Sequence, residues 1–367
     1  MEKRILILTT GKGGGHRSSS DAIKNALLES DPNVDVNAFD AMKFLYGYTG
    51  EGEQGYVTFT SRYRFFWKCF FEFSSFFSGI CGFLFSKPIY KRFRKLVLEY
   101  KPDIILSVHP IFVGSVITCL KRMKLSIPVY VCILDLVKHS RLWHDKRCEI
   151  TFVPTEKMYN KLFKKGFKKE RLVHSGFPIS ERFNKINRSP KTEISIPDIL
   201  MVNPSLKRDK ITLDFILATS KHNVNLTVVT GSNQILKDYL DRKLADVTNT
   251  DNIKVLGYIY DMDSRLAKAD VLITKAGPNI ILEAVKMCVP VIITGHILGQ
   301  EEENYQYIVE NGYGLKCDSP KELSETLDKL FDNDYDLIKK FSCNAQSCSD
   351  TSGASVVAKY LLEALEK

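Results

Sequence analysis

Thr9-Thr10-Gly11-Lys12-Gly13-Gly14-Gly15-His16-Arg17 follows the apolar run Arg4–Leu8 and precedes a helix-like segment from Ser18 to Ser30. Strand, glycine-rich turn and helix start together make a seat for a ligand, because a backbone without Cβ atoms can approach it closely. His16, at the lip of the turn, adds a group that exchanges a proton near neutral pH. Two familiar glycine loops fit poorly. A nucleotide-hydrolase phosphate loop needs Gly-Lys followed by Ser or Thr, and here Lys12 is followed by Gly13. The dinucleotide pattern G-x-G-x-x-G begins at Gly11 and Gly13, but its last glycine falls on His16. Asp40, closing the next strand, is the one residue that keeps a nicotinamide reading open. The bland alternative is a tight turn with His16 as a cap.

Working outward, strand-like and helix-like segments alternate. Strands are expected at Arg4–Leu8, Val34–Phe39, Asp103–Val108, Pro128–Asp135, Ile150–Pro154 and Leu172–Gly176, with helices such as Ile111–Met123 and Glu156–Lys165 between them. Continuous apolar runs are the mark of parallel strands covered on both faces. The pattern lapses from Pro178 to Pro197 and then restarts. New strands are expected at Asp198–Val202, Leu226–Thr230, Ile253–Leu256, Val271–Thr274 and Val289–Thr294, followed by a helical tail. The fold class expected is α/β, with two Rossmann-like doubly wound domains facing across a cleft. The boundaries expected are residues 1–183, a linker at 184–197, residues 198–345, and a C-terminal helix at 346–367.

With 367 residues, 44% hydrophobic and 26% charged, the chain is globular in composition and long enough for two cores. Its net charge of +9 calls for an anionic partner: nucleic acid, a membrane surface or an anionic substrate. No nucleic-acid-binding module is recognisable, so nucleic acid is not expected. The nine cysteines show no C-x-x-C pair and no zinc-like spacing, which implies a reducing cytoplasmic compartment and no metal centre. The N-terminus opens directly on a strand, so no signal peptide is expected. The apolar stretch Phe65–Phe85 is interrupted by Lys68 and Glu72 and is too short to span a bilayer. Around it, residues 62–101 carry nine Lys or Arg and two Glu among many aromatics. Phe65, Phe66, Trp67 and Lys68, with Lys91 and Arg92 further on, suit an anionic bilayer surface. The competing reading packs the aromatics inside the domain and leaves the cations solvated.

In the second half, Thr274-Lys275-Ala276-Gly277-Pro278-Asn279 ends a buried strand and opens a helix with proline at its first position. Free N–H groups there form a diphosphate site. Glu283, about one turn in, is placed to accept both hydroxyls of a ribose. Gly299-Gln300-Glu301-Glu302-Glu303-Asn304 is a second turn rich in side chains that suit sugar hydroxyls, although acids in a first turn also complement the helix dipole.

Taken in order, GGGHRSSSDAI, DLVKHSRLW (Asp135–Trp143), FVPT (Phe152–Thr155), Gly176-Phe177-Pro178, TGSN (Thr230–Asn233), TKAGPNIILEA and GQEEEN resemble one family. It is that of the monogalactosyldiacylglycerol synthases and processive diacylglycerol glucosyltransferases, itself similar in fold to the lipid II N-acetylglucosaminyltransferase. The resemblance covers about residues 1–345. It implies a GT-B fold and transfer of a hexose from UDP-glucose or UDP-galactose to diacylglycerol or a related lipid. The anomeric carbon would be inverted, with no metal and no cofactor beyond the UDP-sugar co-substrate. By position His16 would be the general base, with Asp135 in catalytic support. Donor contacts would come from Gly14, Gly15, Gly231, Asn233, Gly257, Tyr258, Thr274, Lys275, Ala276, Gly277, Pro278, Asn279, Glu283, Gln300, Glu301 and Asn304. An enzyme with a lipid acceptor would sit peripherally on the inner face of the cell membrane. There is one departure. Where the family has a glycine-rich loop after the first strand of the C-terminal domain, this chain reads Val202-Asn203-Pro204-Ser205-Leu206-Lys207. Proline there restricts the backbone and removes a donor. The sequence thus leaves a polyprenyl acceptor, a non-catalytic sugar-nucleotide-binding regulator and a nicotinamide oxidoreductase as rivals to a lipid glycosyltransferase.

Overall fold

The computed structural model describes residues 3–11, 14–46, 78–186, 188–205, 209–247, 251–297 and 301–366. It divides into two compact units, Met1–Glu181 with Ser349–Lys367, and Arg182–Cys348.

The first unit runs β1 (Arg4–Thr9), α1 (Gly14–Ser30), β2 (Asp35–Asp40), α2 (Ala41–Tyr46), α3 (Ser78–Tyr100), β3 (Ile104–Ser107), α4 (Ile111–Met123), β4 (Val129–Cys132), β5 (Thr151–Val153), α5 (Glu156–Lys164) and β6 (Leu172–His174). All strands are parallel, in the order β2-β1-β3-β4-β5-β6. Ile5, Leu6, Ile7 and Leu8 are fully buried on both faces, which is why β1 reads as a continuous apolar run rather than an alternating one. Strand order reverses between β1 and β3. Ligands of open α/β sheets bind at such a point, beyond the carboxyl ends of the strands.

Three features differ from the sequence expectations. Helix α1 begins at Gly14, so the last two glycines and His16 lie in its first turn rather than ahead of it. Helix α3, 23 residues long with Pro88 inside, was read only as an apolar run beside a basic cluster. Proline there argues against a helix, yet Ile89, Phe93, Leu96 and Val97 bury one face and hold the segment helical. Beyond the second unit, the C-terminal helix Gly353–Leu365 returns to the first unit. Its Gly353 abuts the Gly176–Pro178 turn so closely that a Cβ would meet the Gly176 carbonyl.

The second unit runs α6 (Arg182–Lys185), β7 (Asp198–Val202), α7 (Asp209–Thr219), β8 (Asn225–Val229), α8 (Gln234–Ala245), β9 (Ile253–Leu256), α9 (Met262–Lys268), β10 (Val271–Lys275), α10 (Pro278–Lys286), β11 (Val291–Gly295), α11 (Asn304–Glu310), β12 (Gly314–Lys316), α12 (Pro320–Phe331) and α13 (Asp336–Gln346). Its parallel order is β12-β11-β10-β7-β8-β9, reversing between β7 and β10. The three-residue β12, lacking an apolar run, had no sequence signal. The segment read as a linker is tied to this unit. The Arg188 guanidinium donates to the carbonyls of Leu266 at 2.7 Å, Ala269 at 2.6 Å and Met287 at 2.9 Å, which lie where α9 and α10 end.

Candidate functional site

In the first unit, the turns after β1 and β3 bring two histidines together. His16 Nδ1 lies 2.8 Å from the Val108 carbonyl. A carbonyl only accepts, so Nδ1 carries the proton and Nε2 carries the lone pair. Burial lowers the His16 pKa below its ordinary 6.5, against the opposing pull of that hydrogen bond. Neutral imidazole with Nε2 free is the form a general base needs. The His109 ring stands 4.9 Å from that of His16 at 58°. Burial, then the neighbouring His16, hold the His109 pKa well below 6.5. His109 escaped the sequence reading, although the signal was there. It is the second residue past β3, just as the glycine turn follows β1.

Two other acids at strand ends have structural employment. Asp40 Oδ1 accepts the Lys43 amide at 3.1 Å and caps α2, while its other oxygen lies against Gly11, where a Cβ would collide. The acid that kept a nicotinamide reading open is therefore spent on a helix cap. Asp135 is buried, and its Oδ2 accepts the Trp143 Nε1 proton at 2.8 Å. Trp143 has no exposed surface, so the carboxylate visibly anchors the loop of residues 135–144. In the same loop His139 Nε2 and His144 Nε2 approach to 2.6 Å. Burial, then His144 with Lys161 and Lys165, holds the His139 pKa near 3, and burial with Lys165, Arg141, Lys161 and Lys146 does the same for His144.

In the second unit the candidate residues gather at the carboxyl ends of β7 to β11. Lys275 is the last residue of β10, where the register against β11 shifts between Thr274 and Lys275. Its Nζ forms a 2.9 Å ion pair with Glu301 Oε1, while Glu301 Oε2 accepts the Ile297 amide at 2.9 Å. Asn304 Nδ2 donates to the Ala276 carbonyl at 2.9 Å, fixing the turn before α10. Thr274 Oγ1 and Asn304 Oδ1 are buried with no partner among the described residues. Pro278 occupies the first helical position after Gly277, which makes no side-chain cap hydrogen bond. Glu283 is buried with no hydrogen-bond partner among the described residues, and desolvation raises its pKa to about 7, with Arg182 opposing and Asp263 adding to the rise. A desolvated carboxyl without a partner is a poor structural element and a good receptor for paired hydroxyls.

The loops after β7, β8 and β9 carry Asn203, Gly231 and Gly257. Asn203 and Gly231 both adopt positive φ, 42° and 60°. Asn tolerates that region better than most residues, so Asn203 meets a backbone demand that glycine would meet elsewhere. The Pro204 carbonyl accepts the Thr294 hydroxyl at 2.6 Å, which ties this loop to β11 at the point of strand reversal. Asn233 accepts the Leu236 amide at 3.0 Å and caps α8. Tyr258 is exposed and packs edge-on against Tyr260, their centroids 4.9 Å apart. Gln300 lies outside the described residues, as do Phe65, Phe66, Trp67 and Lys68. Lys91 is exposed on α3, whereas Arg92 donates to the carbonyls of Phe44 and Leu45 and so closes the end of α2. Among the described residues no group of three or more His, Cys, Asp or Glu could hold a metal ion.

Residues 16–179 match the family profile of monogalactosyldiacylglycerol synthase, and residues 206–357 that of the glycosyltransferase family 28 C-terminal domain. Monogalactosyldiacylglycerol synthase 3, chloroplastic, of Arabidopsis thaliana is 26% identical, the alignment spanning 97% of this chain and 80% of that one. MurG of Acinetobacter baumannii superposes with a TM-score of 0.60 at 13% identity over 98% of this chain and 99% of that one. UGT71G1 of Medicago truncatula, complexed with UDP-glucose, reaches 0.63 at 11% identity over 100% and 99%. Two Rossmann-like parallel sheets, each with a point of strand reversal, are the GT-B architecture, and the chain is a UDP-sugar-dependent glycosyltransferase similar to the monogalactosyldiacylglycerol synthases, whose profile its first unit matches.

Proposed function

We propose that this enzyme transfers a hexose from UDP-glucose or UDP-galactose to the free hydroxyl of diacylglycerol, inverting the anomeric carbon. The observation that carries this reading is His16. Its Nδ1 is pinned to the Val108 carbonyl, and its neutral Nε2 has no partner among the described residues, in a chain similar to the monogalactosyldiacylglycerol synthases. The acceptor hydroxyl passes its proton to His16 Nε2 as its oxygen bonds to C1 of the sugar. The bond between C1 and the diphosphate oxygen breaks, and its electron pair leaves on UDP. The start of α10 and Lys275 take up the charge of that leaving group without a metal. Glu283 accepts the ribose hydroxyls, and Glu301 holds Lys275 and meets the sugar. Gly257 and Tyr258 meet the uracil.

The enzyme works on an anionic membrane surface. Helix α3 supports this, since it exposes Ile80, Phe83 and Leu84 at 57, 53 and 52% beside exposed Lys87, Lys91 and Arg94. Among the described residues no helix is long and apolar enough to cross a membrane. The free cysteines among the described residues support a reducing, cytoplasmic side.

The test mixes the full chain with a panel of UDP-sugars and diacylglycerol in vesicles containing phosphatidylglycerol. Lipids are then read by mass spectrometry and the glycosidic linkage by NMR. A hexosyl-diacylglycerol of inverted configuration, formed equally well in EDTA, is the expected product. His16→Ala should lower kcat by at least about 100-fold, as loss of a general base does, with UDP affinity unchanged. UDP binding without sugar transfer to any lipid would overturn the reading and make the chain a regulator.

A further inference from the structure

Two imidazoles stand where strand order reverses in the first unit, and the mechanism above uses only one. The Ile111 amide donates to His109 Nδ1 at 3.4 Å, so the proton of the neutral ring sits on Nε2. His16 is the reverse case, with Nδ1–H committed to the Val108 carbonyl and a lone pair on Nε2. Phe112 packs against the His109 ring, their centroids 5.4 Å apart. The Ser107 hydroxyl, donating to the His109 carbonyl at 2.9 Å, fixes the backbone beneath it. Among the described residues neither Nε2 has a hydrogen-bond partner. The pair therefore offers one acceptor and one donor a ring contact apart. A simple alcohol that accepted the donor's proton on its own oxygen would be a weaker nucleophile towards C1, so in the reacting state it satisfies only the acceptor. A hydroxyl with an ester on the adjacent carbon satisfies both, because its carbonyl oxygen can take the donor's proton in a hydrogen bond.

We propose that His109 recognises the acceptor by donating from Nε2 to the ester oxygen beside the reacting hydroxyl, and so selects glycerides over lipid alcohols that lack such an oxygen. The proposal rests on the lipid glycosyltransferase reading. His109 holds the acceptor, while the hydroxyl proton still passes to His16 and the electron pair still leaves on UDP.

The experiment compares 1,2-diacylglycerol with hexadecanol, at equal mole fraction in the same phosphatidylglycerol-containing vesicles, as acceptors for the full chain. The readout is the ratio of the two kcat/KM values. The native enzyme should favour the glyceride. In His109→Phe the ratio should fall about tenfold, with the loss falling mainly on the glyceride. That is about 1.4 kcal/mol, the scale of one hydrogen bond lost. In His109→Gln, whose side-chain amide restores a donor, most of the ratio should return. If His109→Phe does not fold, His109→Ala gives the same readout. A ratio unchanged in His109→Phe or His109→Ala overturns the proposal. So does a loss as large in His109→Gln as in His109→Phe, or an equal loss on both acceptors, which is what a structural role produces. A native enzyme that glycosylates hexadecanol as well as the glyceride sinks the proposal alone. One that glycosylates neither acceptor sinks both readings.

Discussion

His16 and Glu283 are pushed by the same force, desolvation, in opposite directions. Burial disfavours the charged form of each, so the imidazole becomes a weaker base and the carboxyl a weaker acid. The pH dependence follows with its signs fixed. Neutral His16 is the active form and its pKa is lowered, so the acid limb of kcat should lie below 6.5. Ionised Glu283 is the better receptor for two hydroxyls and its pKa is about 7, so KM for the UDP-sugar should rise as pH falls through 7. Steady-state kinetics from pH 5 to 9 separate the two, and Glu283→Gln should flatten the KM profile while leaving the kcat limb in place. A kcat limb above pH 7 in the native enzyme would contradict the role given to His16.

Helices α3 and α4 cross where Gly82 meets Gly114. A Cβ on Gly82 would lie 3.3 Å from the Gly114 backbone, and one on Gly114 would lie 3.4 Å from Gly82 Cα. The crossing lets Phe112 and Val116 of α4 pack against Ile89 and Phe93 of α3. Gly114→Leu should therefore cost about 1–3 kcal/mol, the range for overpacking a dense contact. Denaturant titration would read this as a lower midpoint with an unchanged slope; an unchanged midpoint would mean that the helices separate freely. The same helix carries the cations of the membrane reading. Each cation near an anionic surface contributes about 1 kcal/mol. Lys87→Glu with Lys91→Glu should thus weaken vesicle co-sedimentation by more than tenfold. Arg92, which holds the end of α2, is excluded from that test because its loss would disturb the fold.

At the scale of the molecule, the chain builds one sheet, leaves it to build a second, and returns to the first with its last helix. The returning segment is fastened where His174 Nε2 meets Asp350 Oδ1 at 2.8 Å. That partner raises the His174 pKa above 6.5. A raised pKa in the folded state gives stability that is present below 6.5 and lost as pH climbs through the folded value. Asp350→Asn should lower the melting temperature more at pH 6 than at pH 8.5. A loss equal at both values would show that the contact is not ionic. In the native chain this fastening ties the end of the sequence to the sheet that carries His16.

Continuous apolar runs identified the parallel strands at β1, β3, β4, β7 and β10, because a strand buried on both faces admits little else. The glycine turn before His16 and the turn before α10 were legible as ligand seats for a local reason. Strand-to-helix turns and helix starts are encoded by adjacent residues. The sequence alone thereby determined two Rossmann sheets, with Lys275 at a strand end and His16 and Glu283 on the helices that follow β1 and β10. What it could not encode locally was decided by packing. Pro88 stays inside a helix because the buried face of α3 outweighs one missing hydrogen bond. Asp40 caps α2 and Asp135 accepts the Trp143 Nε1 proton, contacts that no local signal announces. His109 gains its meaning only when β3 is laid beside β1, since 92 residues separate His16 from its Val108 partner and hydrogen bonds over that distance exist only in the folded chain.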